Sequence, residues 1–288
     1  MLTVLKVSIL VIIHFSLING GKKIHLIFFF FSYKGGGFYI HIFGCYYGLA
    51  ISFILTTKND LKHPDNRPSY NSDVFSFAGT FFLFLMWPSF NAVLAPTGIE
   101  RVRAVVNTYL SLTGAIMSTF ITSRVVSNGK FDAVHAQNST LAGGVCMGIA
   151  AHLEIFPATA LAFGFLCGFI SVIGFKYLTP FMARFLHIHD TCGIHNLHGM
   201  PGIMGAILSI FASLVITQRE LDTPPEFAHG EWQPAIQFAA LGVTLGVAII
   251  GGLISGFIMK SAYFARPIRK DDLFHDKEFW EIPYDYKI

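Results

Sequence analysis

Along most of this 288-residue chain, apolar runs of about twenty residues alternate with short polar connections. The pattern predicts seven membrane-length helices, at 37–56, 73–95, 104–124, 134–153, 158–178, 192–217 and 235–260. A helix rises 1.5 Å per residue, so about twenty apolar residues cover a hydrocarbon core about 30 Å thick. Polar stretches at 58–73, 96–103, 124–132, 154–157, 179–190 and 218–234 mark the connections. Glycines recur inside the apolar runs, as at Gly164 with Gly168 and Gly252 with Gly256, where they permit close helix contact in lipid. The expected fold is all-α, a polytopic helical membrane protein surrounded by lipid.

Composition points the same way. Charged residues make up 13% of the chain and hydrophobic residues 53%, with a mean hydropathy of +0.57. A soluble domain carries about twice that charged fraction. No basic run is interleaved with exposed aromatics, so nucleic-acid binding has no support. Cys45, Cys146, Cys167 and Cys192 lie in or beside apolar segments at scattered spacing, and are expected to be small membrane-buried residues. The sequon Asn138-Ser139-Thr140 opens an apolar span, where a glycosylating enzyme cannot reach it.

Charge asymmetry orients the helices. Lys58, Lys62, Arg67, Arg124, Lys130, Lys176 and Arg184 fall on alternate connections, and the tail adds Lys260, Arg266, Arg269, Lys270 and Lys277 on the same side. Arg101, Arg103 and Arg219 fall on the other. The positive-inside bias places the C-terminus in the cytoplasm.

Residues 1–34 break the pattern. Met1 to Asn19 holds a short apolar core behind Lys6, and residues 24–31 read IHLIFFFF, as a translated A/T-rich non-coding stretch would. The expected organisation is a foreign leader at 1–34, a membrane domain at 35–260 and a polar tail at 261–288.

The chemistry gathers in DTCGIHNLHGMPGIMG (190–205), which puts His195, Asn196 and His198 within one helical turn of an apolar segment. Polar and ionisable groups at bilayer depth cost several kcal/mol and usually face a cavity or a partner. His41 lies in the first span with no charge near it. On the residues alone it reads equally as a satisfied buried histidine or as one lining a passage made narrow-sided by Gly44 and Gly48. His187, His189, Cys192, His195 and His198 form a metal-like run, but they wrap round a helix rather than converge, so no metal or other cofactor is expected. No nucleophile–base arrangement marks an enzyme.

Five segments in register carry a family resemblance: GGGFYIHIFGCYYGL (35–49), MWPSFNAVL (86–94), HAQNSTLAGGV (135–145), YLTPFMARFLHIHDTCGIHNLHGMPGIMG (177–205) and FWEIP (279–283). They resemble the Rhesus (Rh) glycoproteins, the Rh branch of the ammonium transporter superfamily. The resemblance implies that His41 and His198 are twin histidines of an ammonia-conducting pore and that Phe90 is its gate. His195, three residues from His198, competes for the pore role but departs from the family pattern, so it is assigned with Asn196 to a supporting shell, and Asp190 either there or to a vestibule. A helix-start role for Asp190 competes with the vestibule role.

Ammonium is strongly hydrated, so passing it as neutral ammonia lowers the desolvation cost, and imidazole can both exchange a proton and hydrogen-bond ammonia. Ammonium or ammonia is the implied substrate, with carbon dioxide a further candidate. The implied assembly is a homotrimer or an Rh-family hetero-oligomer in the plasma membrane.

The family fold has eleven or twelve spans in two inverted halves, and seven are expected here. Tyr33 stands where the family has a carboxylate eight residues before the first twin histidine. The chain as coded is therefore expected to lack part of the pore wall and not to conduct alone. The rival reading is a non-transporting Rh-like structural subunit.

Overall fold

A computed structural model describes residues 36–93, 95, 97–218, 230–261, 273, 274 and 281. The leader expected at 1–34 and most of the tail expected at 261–288 lie outside the described residues. Within them the regular elements are all helical. In order they are α1 (Gly37–Leu55), a short α2 (Lys58–Lys62), α3 (Tyr70–Ala92) and α4 (Gly98–Val126). Then come α5 (Ala133–Asn138), a 3-10 turn (Ser139–Leu141) and α6 (Ala142–Ala150). The chain continues through α7 (Pro157–Leu186), α8 (His195–Val215) and α9 (Gln233–Lys260). Among the described residues, the six helices long and apolar enough to cross a membrane are α1, α3, α4, α7, α8 and α9.

The seventh expected span, 134–153, is helical but broken into α5, the 3-10 turn and α6. Its polar side chains compete for the backbone. The Asn138 amide donates to the Val134 carbonyl at 2.9 Å, the Thr140 hydroxyl donates to Ala136 at 2.8 Å, and Ser171 ties Ser139 sideways at 2.9 Å. The sequon is thus used internally, with Ser139 and Thr140 buried. This broken segment is also the heart of the molecule: Leu141, Val145, Cys146 and Met147 form the main core with Leu112 of α4, Cys167 of α7 and Leu208 of α8.

Two boundaries differ from expectation by more than three residues, each for a local reason. α4 starts at Gly98, because the Thr97 hydroxyl accepts from the Glu100 N–H while the Glu100 carboxylate accepts from the Thr97 N–H. Arg101 and Arg103 are therefore helical. Arg103 reaches the His152 carbonyl and the Glu154 carboxylate at 3.2 and 3.0 Å. α7 runs through the expected connection after residue 178, to Leu186. Two π-helical turns, Gly174–Leu178 and Met182–Leu186, flank Thr179–Phe181 and let Pro180 sit where its missing N–H is tolerated. His187, in the left-handed region at φ 55°, ends the helix.

Glycine sets how closely the helices meet. A methyl group on Gly164 of α7 would fall on the Ser111 backbone of α4, and one on Gly114 would fall on the Leu161 carbonyl in return. α9 lies as closely on α1. The Ala50 methyl fills the space at Gly252, the Ile54 side chain the space at Gly256, and the Tyr47 hydroxyl bonds Ser255 at 2.6 Å. The Lys260 ammonium closes the pair by donating to the Ile54 carbonyl at 3.0 Å. Of the four cysteines, Cys45, Cys146 and Cys167 are buried as expected, whereas Cys192 is exposed. It stands in the polar turn between α7 and α8, outside the helices that bury the others.

Gly164→Ala must push two backbones apart, so it should destabilise the protein by roughly 1–3 kcal/mol. Gly242→Ala, inside α9 with nothing near the added methyl, should instead stabilise it by roughly 0.5–1 kcal/mol. Denaturant or thermal unfolding in detergent, read by helical circular dichroism, compares the two.

Candidate functional site

His41 and His198 come from helices 157 residues apart in sequence and meet in the interior. Their rings lie nearly parallel, at 13° with centroids 5.2 Å apart, and the two Nδ1 atoms are 3.2 Å apart. His41 is 4% exposed and His198 half-buried. Two neutral imidazoles can share an Nδ1–Nδ1 hydrogen bond in only one way: one Nδ1 carries the proton and the other accepts it. The rings are therefore opposite tautomers, and the Nε2 atoms at the two ends differ as well. The His41 Nε2 is buried and has no protein partner.

Both histidines sit on π-helical turns, His41 on Gly37–Ile42 and His198 on His195–Gly199. A π turn inserts an extra residue per turn and swings a side chain off the regular helical face. The first opens at Gly36, whose φ of 75° is open to glycine and strained for other residues. Gly202, one turn beyond His198, lets α8 lie against α1: a methyl there would meet Ile42 at 2.8 Å and the His41 Cβ at 3.7 Å. The pair thus depends on backbone features on both sides.

Phe90, on α3, has its ring 6.2 Å from that of His41 at a 59° tilt, and it is 42% exposed. One turn before it lies Trp87, whose indole is stacked on both imidazoles, at 5.9 Å from His41 and 6.4 Å from His198. Sequence reasoning missed Trp87, although it stands in the quoted MWPSFNAVL segment three residues from Phe90 and so shares its helix face.

The remaining residues of the motif stand apart from the pair. His195 offers Nε2 to the Tyr46 hydroxyl at 3.4 Å, with its ring edge-on to that of Tyr46. Asn196 is fully buried and donates to the Thr179 hydroxyl at 2.7 Å, tying α8 to α7. Asp190 accepts from the Ile194 N–H at 2.8 Å and from the His195 N–H at 2.9 Å, one through each carboxylate oxygen. It holds the start of α8, as the helix-start reading had it. Burial raises its carboxyl above the ordinary carboxylate range, while the N–H groups of His195, Ile194 and Gly193 act to lower it. Beside it, burial lowers the His189 imidazole and Asp60 opposes that shift. The His189 Nε2 is 3.0 Å from the Asn66 side-chain oxygen. Two clefts, of ≈ 390 and ≈ 260 Å³, share His189 and Thr191. His187, His189, Cys192, His195 and His198 do not converge, and among the described residues no three metal-ligating side chains come together.

Over residues 1–272 the sequence matches the family model described as Ammonium Transporter Family. It is 46% identical over 259 residues to Rhesus-like glycoprotein B of Dictyostelium discoideum, covering 88% of this chain and 43% of that protein. It is 42% identical over 266 residues to Ammonium transporter Rh type C of Sus scrofa, covering 88% of this chain and 58% of that one. The chain spans about half the length of the curated relatives it matches. Among solved structures, Nitrosomonas europaea Rh50, of the Rhesus protein family of channels, superposes with a TM-score of 0.69 at 34% identity. That match covers 90% of this chain and 61% of the other. Candida albicans Mep2 shares the fold, with a TM-score of 0.68 at 20% identity, over 88% of this chain and 56% of its own. With its six long apolar helices the protein is a multi-pass membrane protein, and the chain belongs to the Ammonium Transporter Family.

Proposed function

We propose that this protein serves the transfer of ammonium nitrogen across the plasma membrane, with neutral ammonia passing the His41–His198 pair. The observation that carries the reading is the Nδ1–Nδ1 contact of 3.2 Å between two imidazoles in the interior, in a chain of this family. A buried cation is costly to desolvate, whereas ammonia can exchange hydrogen bonds with an imidazole on either side. The pair is suited to this because each ring offers a donor at one nitrogen and an acceptor at the other. Fixing the shared proton between the Nδ1 atoms leaves one Nε2 to accept and one to donate. Two facing imidazoles resist carrying two positive charges, which keeps the pair neutral and suits it to a cation that can shed its proton before passing.

Phe90 is the gate in this reading: its ring stands beside His41 and is partly open, so a rotation would admit or exclude solute. His195 and Asn196 support the pair through Tyr46 and Thr179, and Asp190 sets the start of the helix that carries His198. The excess of Lys and Arg on alternate connections supports a cytoplasmic C-terminus. The exposed aromatic face of α3, including Phe75, Phe81 and Phe82, supports assembly with further copies, as a trimer in this reading.

In cells expressing the whole gene product, His198→Ala should reduce methylammonium uptake by about tenfold or more, equivalent to ~1.4 kcal/mol. His195→Ala should stay within about twofold, since His195 lies outside the pair. Equal losses, or a larger one at His195, would reverse the assignment. Chemical crosslinking in native membrane should give a trimer band, and a monomer alone would count against that assembly.

A further inference from the structure

Trp87 presents an unusual combination. Its indole is 6% exposed and lies near-parallel to both imidazoles of the pair, at 23° to His41 and 22° to His198. Its Nε1–H is buried without a hydrogen-bond partner. A buried tryptophan N–H normally finds an acceptor, so no hydrogen bond aims this ring. What remains to hold it is shape. The pyrrole edge lies on Gly144 of α6, where an added methyl would meet Cδ1 and Nε1 at 2.8 Å. One turn further along α3, the Asn91 amide donates to the Gly144 carbonyl at 3.0 Å and to the Thr108 hydroxyl at 3.1 Å. α3 is thereby pinned to the same glycine that receives the indole.

We infer that Trp87 is a positioning residue for the imidazole pair, seated on Gly144 and acting as a flat wall against which both rings align. The inference rests on the reading of His41 and His198 as the working pair. The physical argument is one of degrees of freedom. Each imidazole can rotate about its χ2, and an Nδ1–Nδ1 bond forms only when both rings turn the same edge toward each other in nearly one plane. The pair's own hydrogen bond fixes distance but leaves a common twist free. A third aromatic plane stacked on both removes that twist. A flat ring is required for this, whereas the indole N–H is not. The seat is required as well, because a side chain at residue 144 would lift the indole off its present plane.

The test uses the full 1–288 chain, labelled with 15N-histidine, in lipid nanodiscs and read by magic-angle-spinning NMR. His41→Gln and His198→Gln assign the two rings. The unaltered protein should show a 15N–15N correlation between the two Nδ1 atoms, one protonated and one not. Trp87→Phe keeps a flat ring and should retain that correlation. Trp87→Leu and the longer, unbranched Trp87→Met should lose it, and Gly144→Ala should weaken it. Helical circular dichroism and melting identify any variant that has not folded, and the more flexible side chain of Trp87→Met can refill the site should Trp87→Leu collapse it. Retention of the correlation in folded Leu or Met variants overturns this inference alone. Its absence from the unaltered protein overturns both the inference and the pair on which it rests.

Discussion

Placing two imidazoles edge to edge in an apolar interior is the constraint on which the rest of this structure depends. Each ring brings two polar nitrogens that would be costly to bury without partners, and the shared Nδ1 contact meets one need on each. For the contact to form, α1 and α8 must approach within van der Waals distance and both histidines must leave the regular helical face. Gly202 supplies the first condition, and the two π-helical turns supply the second. The broken segment α5–α6 serves the same end from the opposite side. Its Gly144 receives Trp87, and its Ile149 fills the space left by Gly37 at the start of α1.

Close backbone contact is what makes such an interior stable without a soluble core. Where Gly114 and Gly164 join α4 to α7, the helices touch backbone to backbone and dispersion is gained over the whole seam. Buried polar groups are then tied to carbonyls that the irregular turns leave free. Asn107 donates to the Ala151 and Leu153 carbonyls at 2.9 and 3.3 Å, and Ser111 donates to the Gly143 carbonyl at 2.9 Å. These bonds satisfy the breaks around α6, which lipid could not do.

Much of this was legible in the chain itself. Hydropathy located all seven helical segments, because an apolar run of bilayer length has few alternative uses. The resemblance of GGGFYIHIFGCYYGL and of the 190–205 motif to one family led to His41 and His198, and the structure brings those two rings together. What pattern could not reveal was irregular backbone. Nothing in the periodicity of 134–153 shows that Asn138 and Thr140 will divert the ladder, and nothing around 174–186 marks two π turns on either side of Pro180. Trp87 escaped notice for another reason: an aromatic in an apolar span carries no sign of whether it faces lipid, core or a functional ring. Cys192 was misjudged because it sits two residues past Asp190, where the chain is still a polar turn and α8 has not begun.

The close seam between α1 and α9 has a mechanical consequence. Tyr47 is bonded to Ser255 and Ile54 to Lys260, so the two helices are riveted at two levels on the side away from His41. They behave as one rod. Its far end holds His41, and its near end is Lys260, the last residue of α9. A displacement applied there arrives at His41 as a tilt of the whole rod, with no flexible loop in between to absorb it.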